Sequence, residues 1–393
     1  MQILNSTRPG FSNVSIKLFE DYDAWLENRF LEFAGTFISM NLRDSLSMDS
    51  SGMFQIYDTK NLHTLLSGRE IIQISLRGFR NEKTYNRIYG IKNTSVSVDA
   101  KGDNVITFEI GPLHKVRNDK FGRTFFPDAV DTLKEMIRVI YLDEPLIMPM
   151  VEGIPTHIPK IPWMFSMEKY KEFIRDYGIS TDANSFSFVW EDFDGIKVSD
   201  YESMITQQPY DVIFGDPKTV GEFVNQLEVP MAFNFEWLTK NNPYARDPLE
   251  NVTFIAYSML DKGSPRLISG DGRNSVLVSR SGGYAHQLFR NPYEEAVKIQ
   301  TMAQYDGYAK FSTYGEFEIM PHMKIRIADS KGQFVGDYYV DSVVHEITSN
   351  QSLTHVYVFT NSTQLKDVVY DKIKNTLEGE SGEGEEPEED NQG

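Results

Sequence analysis

The chain contains no cysteine. Disulfides, thiolate metal sites and a cysteine nucleophile are therefore excluded, and stability has to come from packing or from assembly. Long apolar runs are missing as well. No stretch approaches the ~18 apolar residues that a membrane helix requires, so no stable membrane insertion is expected. The segment MQILNSTRPGFSN at the N-terminus has no basic region followed by an apolar core, and no secretory leader is expected there. Triplets such as Asn93-Thr94-Ser95 then carry no weight as glycosylation sites. Positive charge is scarce: 39 Lys and Arg stand against 57 Asp and Glu, for a formal net charge of −18.

Part of that charge is a tail. Residues 378–393 carry eight acidic and no basic side chains, so −18 less the tail's −8 leaves −10 for the body. With no apolar side chain after Leu377, the tail cannot offset its ordering entropy, and 378–393 is expected to be disordered. A body of this sign is a poor reader of DNA grooves, because affinity there comes from Lys and Arg neutralising phosphates. The same charge suits a wall past which nucleic acid slides without sticking. Charge alone leaves both readings open.

What is present in quantity is alternation. With 40% hydrophobic and 13% aromatic residues in 393, the chain has material for two or three domains. Residues 15–19, 30–42 and 52–58 read as strands, followed by a β-meander over 71–110 (IIQISLRG, NRIYGIKNTSVSV, VITFEI). A second meander, 323–360, has the same outline (MKIRIADS, DYYVDSVVHEIT, LTHVYVFT). An offset of about 250 lays 105–110 over 355–360, and Ile72, Ile74 and Leu76 share a strand face as Met323, Ile325 and Ile327 do. Self-similarity at this range points to a module used twice. Two unrelated half-buried antiparallel sheets alternate in the same way, so the residues alone leave duplication open.

Between and around the meanders the pattern changes. Val130, Leu133, Met136, Ile137, Ile140 and Tyr141 fall on one helical face behind Pro127 and Asp128. Pro145, Pro149, Pro155, Pro159 and Pro162 mark an extended crossing. A short helix over 167–178 turns Tyr170, Phe173, Ile174 and Tyr177 inward, with Gly178 as its C′ residue. Strands are expected at 185–190, 210–215 and 230–238, with a helix over 217–228 burying Val220, Phe223, Val224 and Leu227. Segments 252–260 and 275–281 read as a hairpin, and 291–311 as a helix passing into a strand. The resulting division is a first β-barrel over 1–111, a connecting α+β region over 112–209, and a second barrel from 210–240 and 307–362. An α+β insertion occupies 241–306, and a C-terminal helix 363–377 precedes the tail.

No catalytic, cofactor-binding or metal-binding residue emerges from this pattern. His345-Glu346 opens like a zinc-protease motif, but the second histidine that H-E-x-x-H needs is Ser349, and on a strand the two side chains point to opposite faces. Histidines 63, 114, 157, 286, 322 and 355 form no i,i+4 helical pair. SGDGRNS (269–275) lacks the Lys-Ser/Thr of a phosphate loop. No G-x-S-x-G elbow exists. Glu191, Asp192 and Asp194 cluster after a strand; a carboxylate pair there would suit glycoside hydrolysis, and a solvated loop explains it equally well. A glycoside-hydrolysing enzyme and a carbohydrate-binding β-protein are thus the alternatives to a structural, non-enzymatic role.

The strings RPGFSNVSIKLFEDYDAWLENRF (8–30), SGMFQIYDTKNLHT (51–64), VSVDAKGDN (96–104), KFGRTFFPDA (120–129), VSRSGGYAHQLFRNPYEEA (278–296) and IQTMAQYDGYAKFSTYGEFEI (299–319) closely resemble the baseplate central hub proteins of T-even-type contractile-tailed bacteriophages. The similarity runs in order from about residue 8 to about residue 370, and the acidic tail departs from it. The resemblance implies a mainly β fold with α+β insertions and two similar antiparallel β-barrels per subunit, forming a pseudo-sixfold ring in a homotrimer. It implies a threefold-to-sixfold adaptor between a trimeric, lysozyme-bearing spike and the tail tube or its initiator proteins. DNA and the tape-measure protein would occupy the channel without sequence-specific binding. The setting would be the virion, after assembly in the host cytoplasm, with no cofactor. A tube or spike subunit is the neighbouring alternative, and a tail-associated peptidoglycan hydrolase the alternative from a different class. Glu109, Lys324 and Arg326 are candidate lumen positions.

Overall fold

The computed structural model describes residues 13–47, 49–78, 83–117, 119–121, 128–141, 148–157, 165–180, 186–215, 230–238, 252–257, 266–269, 274–279, 301–302, 305, 307–329 and 336–361. The expected helices over 217–228 and 363–377, the tail 378–393, His286 and most of the 291–311 segment lie outside them.

The first barrel is built from β1 (Asn13–Phe19), α1 (Tyr22–Leu26), β2 (Leu31–Glu32), β3 (Phe37–Ser45), β4 (Ser51–Tyr57), β5 (Ile71–Arg77), β6 (Thr84–Val98) and β7 (Asn104–Pro112). Its strands run β2-β1-β5-β6-β7-β4-β3, all antiparallel. The segment from β2 to β3 works as one bent strand. At its start, Leu31 and Glu32 pair with β1 and Phe33 N–H donates to Ile16 O; further on, β3 pairs with β4, and the ring closes. Alternation explains the interior: Phe54, Ile72, Ile74, Leu76, Ile106 and Phe108 are all fully buried. Phe54 stacks on Phe108 with ring centroids 4.6 Å apart.

A helical layer follows, made of α2 (Leu113–Arg117), β8 (Lys120–Phe121), α3 (Ala129–Ile140), β9 (Val151–Gly153), β10 (Thr156–His157), β11 (Phe165–Ser166), α4 (Met167–Tyr177), β12 (Ile179–Ser180), β13 (Ser187–Asp192), β14 (Gly195–Asp200) and α5 (Tyr201–Thr206). Asp128 is the N-cap of α3, its carboxylate accepting from Val130 N–H and Asp131 N–H. Such a cap satisfies donors that the first turn otherwise leaves unpaired. All six residues of the expected face, Val130 through Tyr141, are buried. In α4, Tyr170, Phe173 and Ile174 are buried as well. Gly178 ends that helix in an extended rather than a left-handed conformation, at φ −66° and ψ 134°.

The second half contributes β15 (Tyr210–Phe214), β16 (Met231–Trp237), β17 (Val252–Tyr257), β18 (Arg266–Ser269), β19 (Asn274–Ser279), β20 (Gly307–Tyr314), β21 (Lys324–Asp329), β22 (Gly336–Thr348) and β23 (Ser352–Thr360). The order β22-β21-β15-β16-β20-β23, with β23 returning to β22, closes a second barrel. One strand breaks the antiparallel rule: β15 runs parallel to both β16 and β21. The expected 252–281 hairpin is not what forms. β17 and β19 pair in parallel, with β18 antiparallel on the other edge of β17. The intervening chain is long enough for the crossover that parallel pairing demands.

The two meanders correspond strand by strand. β5-β6-β7 and β21-β22-β23 have like ladders: Ile72 pairs with Tyr89 and Ile325 with Tyr338. Each middle strand carries a bulge at the same place, between Ile91 and Asn93 in one and between Val340 and Ser342 in the other. The flanking strand corresponds too, with Phe54 opposite Phe108 and Phe311 opposite Val356. Tyr89, Tyr338, Phe54 and Phe311 are at most 1% exposed. The alignment by constant offset is corrected in the last strand. Ile110 pairs with Ile91 and Val358 with Val340, so 105–110 meets 353–358. Asp99 N–H closes one turn on Asp103 O and Thr348 N–H closes the other on Gln351 O, so the second turn is one residue tighter.

Candidate functional site

The two barrels share a seam. The second half of β22 pairs with β3 from Ser342↔Ser45 to Thr348↔Ser39, which makes a single 13-stranded sheet. Ile347 and Phe317, from the second half of the chain, are buried in the core of the first barrel beside Phe193. Leu46, Tyr339 and Phe359 meet Phe186, Phe188 and Trp190 of the middle layer in another buried cluster. His345 is 1% exposed and bonded through Nδ1 to Thr354 Oγ1 at 3.0 Å. Burial first, then the charges of His355 and Arg87, push its imidazole down to about 3. Glu346 faces the other way, 3.2 Å from His355, as a strand requires.

Beneath the seam lies a cluster of charges from six parts of the chain, buried at Asp44, Arg87, His114, Lys171 and Glu191 and half-buried at Asp49, Lys115 and Glu168. Arg87 of β6 reaches Asp44 of β3 at 2.8 Å and Glu191 of β13 at 2.9 Å. His114 of α2 lies 3.2 Å from Glu191 and 3.4 Å from Glu168 of α4. Lys171 of α4 meets Glu168 at 3.0 Å, Asp49 at 3.2 Å and Glu191 at 3.7 Å, and Lys115 meets Asp49 at 2.9 Å. Ser50 Oγ donates to Asp44 and lies 3.0 Å from Glu191 O. Four carboxylates thus face Arg87, Lys115 and Lys171, with the His114 imidazole between Glu191 and Glu168; burial pushes the Asp44 carboxyl up, against the pull of Arg87. A buried charge is tolerated only when paired and hydrogen-bonded. Here the pairing binds the first barrel to the helical layer.

Of the three carboxylates singled out in the sequence, Glu191 alone belongs to this lock. Glu191 and Asp192 are the end of β13 rather than a solvated loop, and both are buried. Burial opposes the charge on Glu191, but His114 and then Arg87 outweigh it and hold the carboxyl well below the usual range. Such a group has neither the access nor the proton to act as a general acid. Asp192, accepting from Trp190 Nε1 at 2.9 Å, is pushed up to about 6, first by burial and then by Asp44. Asp194 lies in the following turn, 3.0 Å from Lys83. Among the described residues, no three His, Asp or Glu side chains are grouped to hold a metal. His322 packs on Trp190 with ring centroids 4.5 Å apart, and His63 bonds Asp58. The side chain of His157 and most of 269–275 lie outside the described residues.

Of the candidate lumen positions, Glu109 is exposed on β7. Lys324 and Arg326 both bond Asp337, at 3.0 and 3.1 Å. The sequence reading passed over Asp44, Arg87, His114 and Lys171. Phase was the available signal, because Arg87 sits between the inward-facing Tyr85 and Tyr89.

The lock has a pH signature. Burial lowers the His114 pKa, but Glu191 and Glu168 outweigh it, so the folded-state value lies above the ordinary 6.5. Its stabilisation is fully present below about pH 6.5 and is lost as pH rises through the higher folded-state value. Unfolding midpoints measured from pH 5 to pH 9 should therefore fall at the alkaline end in the parent protein. In His114→Gln that component of the slope should vanish; an unchanged slope contradicts the assignment.

The geometry is that of a framework: two barrels joined by the β22–β3 seam, with the first tied to the helical layer by buried charge pairs. The family of baseplate structural proteins matches in both halves, its domain 1 over residues 7–201 and its domain 2 over residues 204–376. The chain belongs to that family, and baseplate proteins are parts of a phage tail. Among solved structures, the tail protein from Neisseria meningitidis MC58 is similar in fold, with TM-score 0.52 and 12% identity over 90% of this chain and 99% of that one. The 43 kDa tail protein of prophage MuSo2 from Shewanella oneidensis aligns with TM-score 0.48 and 10% identity, over 90% and 96% of the two chains. A prophage tail protein from Listeria monocytogenes EGD-e aligns with TM-score 0.44 and 11% identity, over 92% and 98%. No curated protein matches the sequence.

Proposed function

We propose that this chain forms a homotrimeric ring at the centre of the baseplate and adapts a threefold spike to a sixfold tail tube. The observation that carries the reading is the correspondence of the two barrels, including the shared bulge and the paired positions Tyr89/Tyr338 and Phe54/Phe311. One chain then offers two like surfaces, and three chains offer six. Cyclic closure limits growth to a ring. The division of labour follows the barrels 1–111 and 210–240 with 307–362, while 112–209 and 241–306 supply outer and spike-facing walls. Assembly takes place in the host cytoplasm before the ring enters the virion. The partners are a trimeric lysozyme-bearing spike, tube or tube-initiator proteins and the tape-measure protein.

In this reading DNA traverses the ring without sequence-specific contacts, and carboxylates at lumen-facing positions keep it moving. Glu109 is the candidate among them. Glu109→Lys is expected to slow DNA delivery by intact particles, and unchanged ejection kinetics would count against a lumen position. Mass in solution, alone and with the spike protein, tests the ring itself. Three copies of the chain, binding one spike trimer, are expected; a hexamer of this chain would instead indicate a tube subunit.

A further inference from the structure

The seam between the barrels inside one chain has a counterpart whose two halves are both left open. In the closed case β21 covers the first half of β22, and β3 covers the second half from Ser342 to Thr348. In the first barrel β5 covers β6 only as far as Gly90. Beyond the bulge, residues 93–98 pair with β7 on one edge, and among the described residues no strand pairs with the other. Val96 and Val98 are 46% and 64% exposed there. The acceptor side repeats this. The bent β2–β3 strand gives its first part to β1 and its second part to β22. β16 gives Met231 and Ala232 to β15, while the outer edge at Glu236 and Trp237 pairs with no described strand. Trp237 is 40% exposed.

We infer that residues 95–98 of β6 in one subunit add as an antiparallel strand to the open edge of β16 in the next subunit, repeating between chains the seam that β22 and β3 make within one. The inference rests on the ring proposed above and specifies how it is joined. The ladders fix the register. Leu42 pairs with Gly52 as Trp237 pairs with Ala309, and Gly52 pairs with Ile110 as Ala309 pairs with Val358, so Trp237 stands where Leu42 stands. The shared bulge makes Val96 the counterpart of His345. The observed His345↔Leu42 therefore becomes Val96↔Trp237, and Glu346↔Asn41 becomes Ser97↔Glu236; beyond Glu236 a bulge in β16 ends the strict correspondence.

The chemistry of the side chains agrees. His345, Leu42, Ile347 and Met40 are all buried at 1%. Their counterparts include two valines and a tryptophan that are exposed in the lone subunit. Open strand edges bearing apolar side chains invite pairing and are normally blocked in a monomer. The donor and acceptor edges differ, so the contact is head-to-tail, the kind that closes into a ring when the rotation permits. Aromatic and β-branched residues are favoured partners across strands.

Cysteine pairs test this without background, since the chain has none. Directly opposed residues on antiparallel strands have Cα atoms ~4.5–5.5 Å apart, inside the ~4.4–6.8 Å range of a disulfide. The full-length double variants Val96→Cys/Trp237→Cys and Ser97→Cys/Glu236→Cys probe opposite faces of the same seam, so either one suffices if the other misfolds. Mild oxidation should convert most of the protein to covalently linked trimers that reducing agent dissolves. Each single variant should stay uncrosslinked, and Val98→Cys/Trp237→Cys, shifted by two residues, should link at least tenfold less. A trimeric mass with neither designed pair linking overturns the seam and leaves the ring standing. A monomeric mass up to millimolar concentration, again without linkage, overturns the ring and the seam with it.

Discussion

Arg87→Met lowers the free energy of unfolding by about 3–5 kcal/mol, the cost of removing one partner from a buried ion pair. Arg87 is 7% exposed, and its guanidinium lies between Asp44 and Glu191, two carboxylates that are themselves buried. Methionine keeps the length and the apolar stem but leaves buried Asp44 with no cationic partner, only the Ser50 hydroxyl, and takes one of three cations from Glu191. The comparison is an exposed pair such as Arg138–Glu135, 2.8 Å apart on α3. Pairs of that kind are worth roughly 0.3–0.5 kcal/mol. Denaturant titration of Arg87→Met and Arg138→Met against the parent measures the contrast. A loss below about 1 kcal/mol for Arg87→Met, within the usual range of surface changes, would mean that the charges are not what locks the first barrel to the helical layer.

Phe317→Ala costs a similar ~3–5 kcal/mol, for a different reason. Phe317 follows β20, in the half of the chain that builds the second barrel, yet it is buried in the core of the first. Its ring packs against His345 at 5.1 Å, Phe193 at 6.3 Å and Tyr85 at 6.4 Å between centroids. Truncation opens a cavity that belongs to both barrels and to the middle layer. The loss should therefore appear in both. Amide exchange is expected to rise in β3 and β6 as well as in β22. Ile327→Ala, in the core cluster that holds only residues of the second half, should loosen β21 and β22 first. Exchange confined to β22 in Phe317→Ala would show that the barrels are coupled through backbone pairing alone.

Much of the barrel architecture was legible because period-two alternation carries it. Ile72-Ile74 and Ile325-Ile327 sit in corresponding registers and line corresponding walls. The helix face from Val130 to Tyr141 was legible for the parallel reason, a 3.6-residue repeat with Asp128 at its head. What escaped the sequence was pairing between distant edges. Nothing local marks β15 as parallel to its neighbours, or β17 and β19 as a parallel pair. The charged lock was hidden differently. Asp44, Arg87, His114, Lys171 and Glu191 are far apart in the chain and, read singly, look like solvent-facing residues of amphipathic elements. Only their phase betrays some of them: Arg87 follows Tyr85, and Asp44 follows Met40 and Leu42, on the side that faces inward. The carboxylate cluster at 191–194 stayed open between a hydrolytic pair and a solvated loop because nothing local shows that β13 continues two residues past Trp190 and carries Glu191 and Asp192 into the interior.

The most direct measurement of the account is a density map of the purified assembly, reconstructed without imposed symmetry. Three chains around an open axis, each contributing two barrel lobes at the same radius so that six lobes alternate between 1–111 and the 210–362 unit, is the predicted result. Lobes from the two halves of the chain at different radii, or a ring completed by any other number of subunits, would contradict it.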